Sequence, residues 1–108
     1  MIVVVSQAWT IDVEANADAY IDKSRQFHAF HAAQPGFVGR RLLRGTEDPT
    51  HFTNLRFFAS VDDYQAMIKQ PGYADHINSM GEHLKPYDSY PREFMEVVLG
   101  EDDIAGIL

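Results

Sequence analysis

The sequence contains no cysteine, which excludes disulfide bonds and metal sites built on thiolates. Basic residues are also few: nine Lys and Arg stand against sixteen Asp and Glu, giving a formal net charge of −7. This acidic balance argues against nucleic acid and anionic membranes as partners. The apolar run near the start, Ile2 to Val5, has only four residues and no basic segment before it. We therefore expect neither a signal peptide nor a membrane span, and a cytoplasmic protein.

The residues that are present favour one folded domain. Apolar residues make up 45% of the 108 positions and aromatic residues 12%, as is typical of a compact fold rather than a disordered chain. A chain of this length supports a single hydrophobic core. We expect residues 1–100 to form that domain and residues 101–108 to form a C-terminal tail.

Hydrophobic periodicity and turn residues predict an α+β chain. Strands are expected where β-branched and aromatic residues cluster, and helices where apolar residues recur at helical spacing. The two Pro-Gly pairs, at 35–36 and 71–72, end helices. The predicted strands cover 2–11, 37–44, 51–60 and 92–100, and the predicted helices cover 13–34, 61–70 and 73–84. The order is β-α-β-β-α-β with a split second helix, which is the ferredoxin-like arrangement.

Both faces of this sheet are predicted to be apolar. Alternation along the first strand places Gln7 and Trp9 on one face, which we assign to the helices, and Val4 and Ala8 on the other. The second face would be too apolar to lie in water, so it marks an interface. We expect a homodimer in which two sheets pack face to face as an α/β barrel. The aliphatic tail residues 104, 107 and 108 are expected to pack on the partner subunit.

Several short motifs together resemble one known family. They are Pro-Gly-Phe-x-Gly at 35–39, an aromatic strand ending in Ser60, Asp-Asp-Tyr-x-Ala at 62–66, and Pro-x-Tyr-x-x-His at 71–76. The chain resembles the antibiotic biosynthesis monooxygenases, which are dimeric α/β barrels, over roughly residues 2–100. Its ending, REFMEVVLGED, is similar to the last strand of the heme-degrading branch. The fold hosts many activities, so the resemblance specifies the reaction only weakly.

The resemblance implies a monooxygenase acting on a flat, apolar, aromatic or polycyclic molecule. Family members commonly work without metal or flavin, so no cofactor is expected. We place the pocket between the sheet and the helices. His76 or His31 would act as the base, because histidine titrates near neutral pH. The predicted catalytic residues are His76, Gln7 and His31, and the predicted substrate-binding residues are Trp9, Phe27, Met67, Met80 and Arg56.

Two other functions stay open at this point. One is a heme-binding or heme-degrading protein in which His76 ligates the iron; Gln7 and Met67 then occupy the positions of that branch's asparagine and tryptophan. The other is a non-catalytic dimeric binding or stress-response domain with the same cavity. A protein-built metal site is not expected, because His28 and His31 lack a third ligand nearby.

Arginine is unusually frequent in the predicted strands. Alternation places Arg40 and Arg44 on one face of the second strand, and Arg56 lies in the third. An arginine on a covered face needs a carboxylate or a ligand anion. Glu93 and Glu96 are available for a structural ion pair, within the chain or across the dimer. The alternative is an arginine that binds a propionate, carboxylate or phenolate.

Overall fold

Four strands and four helices make up the part of the chain that the computed structural model describes, residues 1–86 and 92–101. The strands are β1 (Ile2–Trp9), β2 (Phe37–Arg44), β3 (His51–Phe58) and β4 (Arg92–Glu96). The helices are α1 (Ala17–Gln26), α2 (His28–Ala32), α3 (Val61–Ile68) and α4 (Tyr73–Gly81). The predicted docking of the tail through residues 104, 107 and 108 lies outside the described residues.

The strands form one antiparallel sheet in the order β2-β3-β1-β4. This order, with helical connections after β1 and β3, is the ferredoxin-like topology, so the predicted fold class is confirmed. None of the described helices is long and apolar enough to cross a bilayer.

Turn residues set the boundaries at both Pro-Gly pairs. Gly36 has a φ of 79° and Gly72 a φ of 95°, a left-handed conformation that glycine adopts without steric cost. A side chain at Gly36 would also run into the carboxylate of Asp63. Between β3 and α3, the Oγ of Ser60 accepts a hydrogen bond from the backbone N–H of Asp63 (3.2 Å) and caps the helix as predicted.

The long helix predicted for residues 13–34 is in fact two helices, broken at Phe27. The backbone N–H of Phe27 donates to the carbonyl oxygens of both Lys23 (3.2 Å) and Ser24 (3.1 Å), so the last turn of α1 tightens toward 3₁₀ geometry. The predicted strands 2–11 and 92–100 are also shorter, ending at Trp9 and Glu96.

The helices cover the face of the sheet opposite to the one predicted. Val4 and Ala8 are buried under the helices, together with Phe52 and Phe58 of β3. Gln7 instead points to the uncovered side, where its carboxamide meets β3. Alternation gives the period of a strand but not which face is inside, and both faces of β1 are apolar enough to be either.

The uncovered side of the sheet, called the open face here, is strongly apolar. It carries alternate residues of the strands, including Val3, Val5, Leu43, Phe57 and Met95. Leu43 and Met95 each expose 47% of their surface. A patch of this kind is typical of an interface. A second copy that covers this face therefore remains a prediction, but the face consists of other residues than those predicted.

Candidate functional site

A cavity of about 640 Å³ lies between the sheet and helices α1 and α4. We call it the α1–α4 cavity. Its volume falls within the range of about 300–1,000 Å³ that is usual for small-molecule sites. Besides Tyr73, six of its thirteen described lining residues are apolar or aromatic: Ala8, Tyr20, Phe27, Ile77, Met80 and Leu84. The cavity lies on the side of the sheet that the helices cover.

The floor of this cavity is polar because the sheet register places polar residues side by side. Ser6 of β1 pairs with Asn54 of β3 on one side and with Arg92 of β4 on the other. Arg56 lies two residues beyond Asn54 on the same face of β3. Tyr73 completes the polar lining from the first turn of α4. Three adjacent strands thus present amide, hydroxyl and guanidinium groups to one space.

Arg56 is a buried cation, only 5% exposed. Its Nη2 donates to Ser6 Oγ (3.3 Å) and Tyr64 Oη (3.4 Å), and its Nη1 donates to Tyr73 Oη (3.4 Å). All three distances lie beyond the usual range for N–H···O bonds, so each bond is weak. The guanidinium carbon also lies 5.1 Å from the ring centroid of Tyr64, a cation–π contact.

No carboxylate forms a salt bridge with Arg56 among residues 1–86 and 92–101. The ion pair with Glu93 or Glu96 that the sequence favoured does not form in the described chain. Glu93 pairs with Val5 in the register, which places it on the open face, away from the cavity. Burying a guanidinium without a counter-ion destabilises the folded state, unless a bound anion takes the place of that counter-ion.

Two polar atoms of the floor have no hydrogen-bond partner within residues 1–86 and 92–101: the acceptor Oδ1 of Asn54 and the donor Nε of Arg56. Leaving such a buried atom unpaired costs about 1–3 kcal/mol. The two atoms belong to alternate residues of β3 that face the same cavity. A molecule that both donates and accepts hydrogen bonds at one edge would satisfy them together.

Tyrosine hydroxyls surround the two arginines of the floor. Tyr64 is fully buried, and its Oη accepts a hydrogen bond from Arg92 Nη1 (2.8 Å) as well as the weaker one from Arg56. Burial raises the pKa of Tyr73, although the Arg56 charge acts in the opposite direction. Tyr73 is therefore a neutral phenol at neutral pH, able to donate a hydrogen bond into the cavity.

Three of the predicted site residues line the cavity with their side chains as expected: Phe27, Met80 and Arg56. Gln7 borders the cavity from β1, but its side chain turns to the open face. There its Oε1 accepts hydrogen bonds from His51 Nε2 and Thr53 Oγ1, both at 2.7 Å. The Gln7 carboxamide therefore does not point into this cavity.

Trp9 and Met67 are not cavity walls. Trp9 lies on the open face, stacked on the ring of His51 at 4.7 Å, because it shares the parity of Gln7 in β1. Met67 projects from α3 into a second core cluster with Phe58 and Tyr64. Methionine at this position fills a gap in the core.

The two histidines expected to act as bases also lie outside the lining. His31 is fully buried; its Nδ1–H donates to the Phe27 carbonyl oxygen (3.1 Å), and its Nε2 has no partner. Burial lowers the pKa of His31 to about 3, so the imidazole is neutral at pH 7. His76 stacks on Phe27 with ring centroids 4.4 Å apart and lies 5.8 Å from the ring of Phe30.

Neither metal nor heme finds a fitting set of ligands here. In the described ranges no group of three or more His, Asp or Glu side chains could hold a metal ion. A heme iron would need its histidine inside the cavity, but the His76 ring stacks on Phe27 and is absent from the lining. We therefore derive no step through heme.

Sequence reasoning missed Asn54, Tyr73 and Arg92 as site residues. The pattern Asn54-x-Arg56 within an otherwise apolar strand was a usable signal, because alternate residues share a face. Arg92 is brought to the site by the register of β4 on β1, which pairs it with Ser6 and which the sequence does not reveal.

Comparisons with known proteins point to one family. The family described as "Antibiotic biosynthesis monooxygenase" matches residues 1–79. Deoxynogalonate monooxygenase of Streptomyces nogalater is 33% identical over 52 residues. That match covers 48% of this chain and 44% of the relative, so the chain spans less than half of the relative's length.

Solved structures with low sequence identity share the fold. SnoaB of Streptomyces nogalater, described as a cofactor-independent oxygenase, superposes with a TM-score of 0.77 at 18% identity, covering 92% of this chain and 94% of that one. A protein of Bordetella bronchiseptica, provisionally described as an antibiotic biosynthesis monooxygenase, gives a TM-score of 0.79 at 15% identity. It covers 91% of this chain and 97% of its own.

Proposed function

Because the chain belongs to the antibiotic biosynthesis monooxygenase family, we propose that it is an oxygenase that works without metal or flavin on a polycyclic phenol. The observation that carries this proposal is the unpaired edge of the cavity floor. Arg56 Nε offers a donor and a positive charge, and Asn54 Oδ1 offers an acceptor. A phenolate oxygen beside a second hydroxyl has the matching pair of groups.

The apolar walls support a flat hydrocarbon body for this substrate. Phe27, Tyr20, Met80 and Leu84 belong to one core cluster and line the cavity together. Aromatic rings and methionine pack well on polycyclic surfaces. SnoaB is described as a cofactor-independent oxygenase. A substrate that supplies its own electrons to O₂ agrees with that description.

The chain's role in the reaction is to hold the substrate as its anion. An adjacent guanidinium lowers the pKa of an acidic group by about 1–3 units. Arg56 would do this for the phenol, and Arg92 adds a second positive charge on the same floor. Among the described residues the lining contains neither histidine nor carboxylate, so we assign the loss of the phenol proton to solvent. His76 and His31 are no longer needed as bases.

Oxidation then follows from the chemistry of the substrate anion and O₂. The anion passes one electron to O₂, which gives a substrate radical and superoxide. Their combination forms a carbon–oxygen bond and a peroxide; the peroxide takes a proton and loses water as its oxygen–oxygen bond breaks. One C–H carbon becomes a carbonyl, so phenol and O₂ give quinone and water. Arg56 stabilises negative charge at each stage.

Oxygen uptake with hydroxylated naphthalenes and anthracenes tests the proposal. We expect uptake by the unaltered chain with quinone as product, and its loss in Arg56→Met and Asn54→Ala. The control is Lys69→Met, which removes an exposed positive charge away from the cavity. Tight binding of the phenols without any oxygen uptake would instead identify a binding protein, the alternative that the absence of a base in the lining favours.

We also propose that the protein is a homodimer joined through the open face. The apolar residues of this face, Leu43, Phe57 and Met95 among them, lie on the side opposite the helices. Burying such a face stabilises association by about 25 cal/mol per Å² of apolar surface. Light scattering after size exclusion gives the mass directly, and a monomer mass at micromolar concentration would contradict this part of the proposal.

A further inference from the structure

A second concave site lies on the other side of α1 from the cavity described above. This space, which we call the α1–β2 groove, has a volume of about 390 Å³. It is bounded by α1 and the start of α2 on one side and by β2 and β3 on the other. Its apolar surface comes from Ile21, Leu42 and Phe52. The volume is sufficient for a small organic molecule.

The charges around the groove set it apart from the rest of this acidic chain. Three of the nine Lys and Arg residues line it: Arg25, Arg40 and Arg44. At the rim, Arg25 forms an exposed ion pair with Asp22 (3.0 Å), and Arg44 lies 3.6 Å from Asp18. Exposed pairs of this kind contribute little and exchange easily for other anions.

Arg40, at the inner end, has no such carboxylate. Its Nη2 donates to the carbonyl oxygen of Ser24, and its Nη1 is buried without a hydrogen-bond partner. None of the described carboxylates forms a salt bridge with it. In the register Arg40 pairs directly with Arg56, so two cations lie opposite each other on adjacent strands. Like charges in this arrangement are destabilising.

We propose that the α1–β2 groove binds a small organic anion that has a carboxylate head and an apolar body. The carboxylate supplies the counter-ion that the inner arginine lacks, and the body packs on Leu42 and Phe52. Burial first, and then the charge of Arg56, lower the pKa of Arg40, which agrees with a cation that lacks a compensating anion. The site is distinct from the α1–α4 cavity because the two spaces share no described lining residue.

Occupancy of the groove is expected to alter binding in the neighbouring cavity. An anion beside Arg40 reduces the positive potential at Arg56, and a phenolate in the cavity then binds less tightly. Linkage requires the reverse effect to be equal, and couplings of about fivefold or more are usual. This consequence alone rests on the proposed function, since it requires a substrate anion at Arg56.

Benzoate is a suitable probe for the site itself. It is titrated into the isotope-labelled full chain while backbone amide signals are followed by NMR, with benzyl alcohol as the uncharged control. We expect saturable shifts at Ser24, His28 and Leu42, and binding at least about tenfold weaker for the alcohol, because a hydrogen bond to a charged group is lost. Shifts confined to Ile77 and Met80 of the cavity, or no saturable shift, would overturn the proposal.

Substitutions identify the cation that is responsible. Arg40→Gln is expected to weaken benzoate binding about tenfold or more, and Lys69→Gln, an exposed site elsewhere, to leave it unchanged. Should Arg40→Gln not fold, Arg44→Gln at the rim is expected to weaken binding about twofold to fivefold. Equal affinity in the folded arginine variants and the unaltered chain would overturn the assignment. A further outcome is that the chain binds benzoate in the groove but shows no oxygen uptake. That outcome would support the groove as an anion site and contradict the proposed oxygenase function.

Discussion

Replacing Arg56 by methionine is expected to separate folding stability from ligand binding. Methionine has a similar length and fills the space without charge. The variant loses three hydrogen bonds of 3.3–3.4 Å and one cation–π contact at 5.1 Å. Because the bonds are long, together they contribute no more than about 2–3 kcal/mol, and the ring contact about 1–2 kcal/mol.

Against this loss stands the cost of burying the charge. Taking a guanidinium out of water costs several kcal/mol, and no described carboxylate returns that energy to Arg56. The two sums are of similar size, so the free energy of unfolding of Arg56→Met should lie within about 2 kcal/mol of the unaltered chain. Phenolate affinity, in contrast, should fall about 10-fold to 100-fold.

Two measurements on the same samples test this reasoning. Urea unfolding gives the stability, and the absorbance change of a bound naphthol as it ionises gives both its affinity and its apparent pKa. In the unaltered chain this pKa should be about 1–3 units lower than in water, and in Arg56→Met it should return to its free value. The opposite result is that Arg56→Met loses more than about 4 kcal/mol of stability and still binds the phenolate with unchanged affinity. That result would show that Arg56 is structural and would contradict the prediction.

Three further predictions concern the fold. The pKa of His31 is near its ordinary value of 6.5 in the unfolded chain, and burial lowers this pKa to about 3 in the folded chain. The unfolded state therefore binds the extra proton as pH falls. The free energy of unfolding measured in urea should therefore decrease by about 1.4 kcal/mol per pH unit as pH falls from about 6.5 to about 3, and His31→Gln should remove that part of the slope; an unchanged slope would contradict the assignment. Ser60→Ala should cost about 1 kcal/mol by loss of the α3 cap, and Gly72→Ala a similar amount because of its positive φ, both by chemical denaturation; no loss in either would show that these caps do not matter. Leu43→Glu on the open face should shift the mass seen by light scattering from dimer to monomer, whereas the helix-face control Leu42→Gln should not.

The order of elements could be predicted because glycine, proline and polar turns mark most boundaries. Pro-Gly pairs at two places and Ser60 before α3 are local signals with local causes. The break at Phe27 had no such signal, because phenylalanine is an ordinary helical residue and only tertiary packing places it there.

The site was predicted less well than the fold, for a physical reason that β1 illustrates. With Val3 and Val5 on one face and Val4 and Ala8 on the other, hydrophobicity could not choose the inner face. Because the wrong face of β1 was assigned to the helices, Gln7 and Trp9 were predicted to lie in the cavity. The same assignment gave the wrong apolar residues for the interface. Arg56 lines the cavity as expected, because a charged residue in a covered strand is unusual whichever face is inner.

The small network of Gln7, His51 and Thr53 bears on how the open face can be covered. The glutamine oxygen already accepts two short hydrogen bonds, and the imidazole that donates one of them is capped by the indole of Trp9. A neighbouring surface therefore meets a Gln7 oxygen, a His51 Nε2 and a Thr53 hydroxyl that are already hydrogen-bonded, which lowers the cost of removing these three groups from water. Binding at this part of the open face then depends mainly on shape, because a partner surface must be complementary to the flat stacked rings of Trp9 and His51.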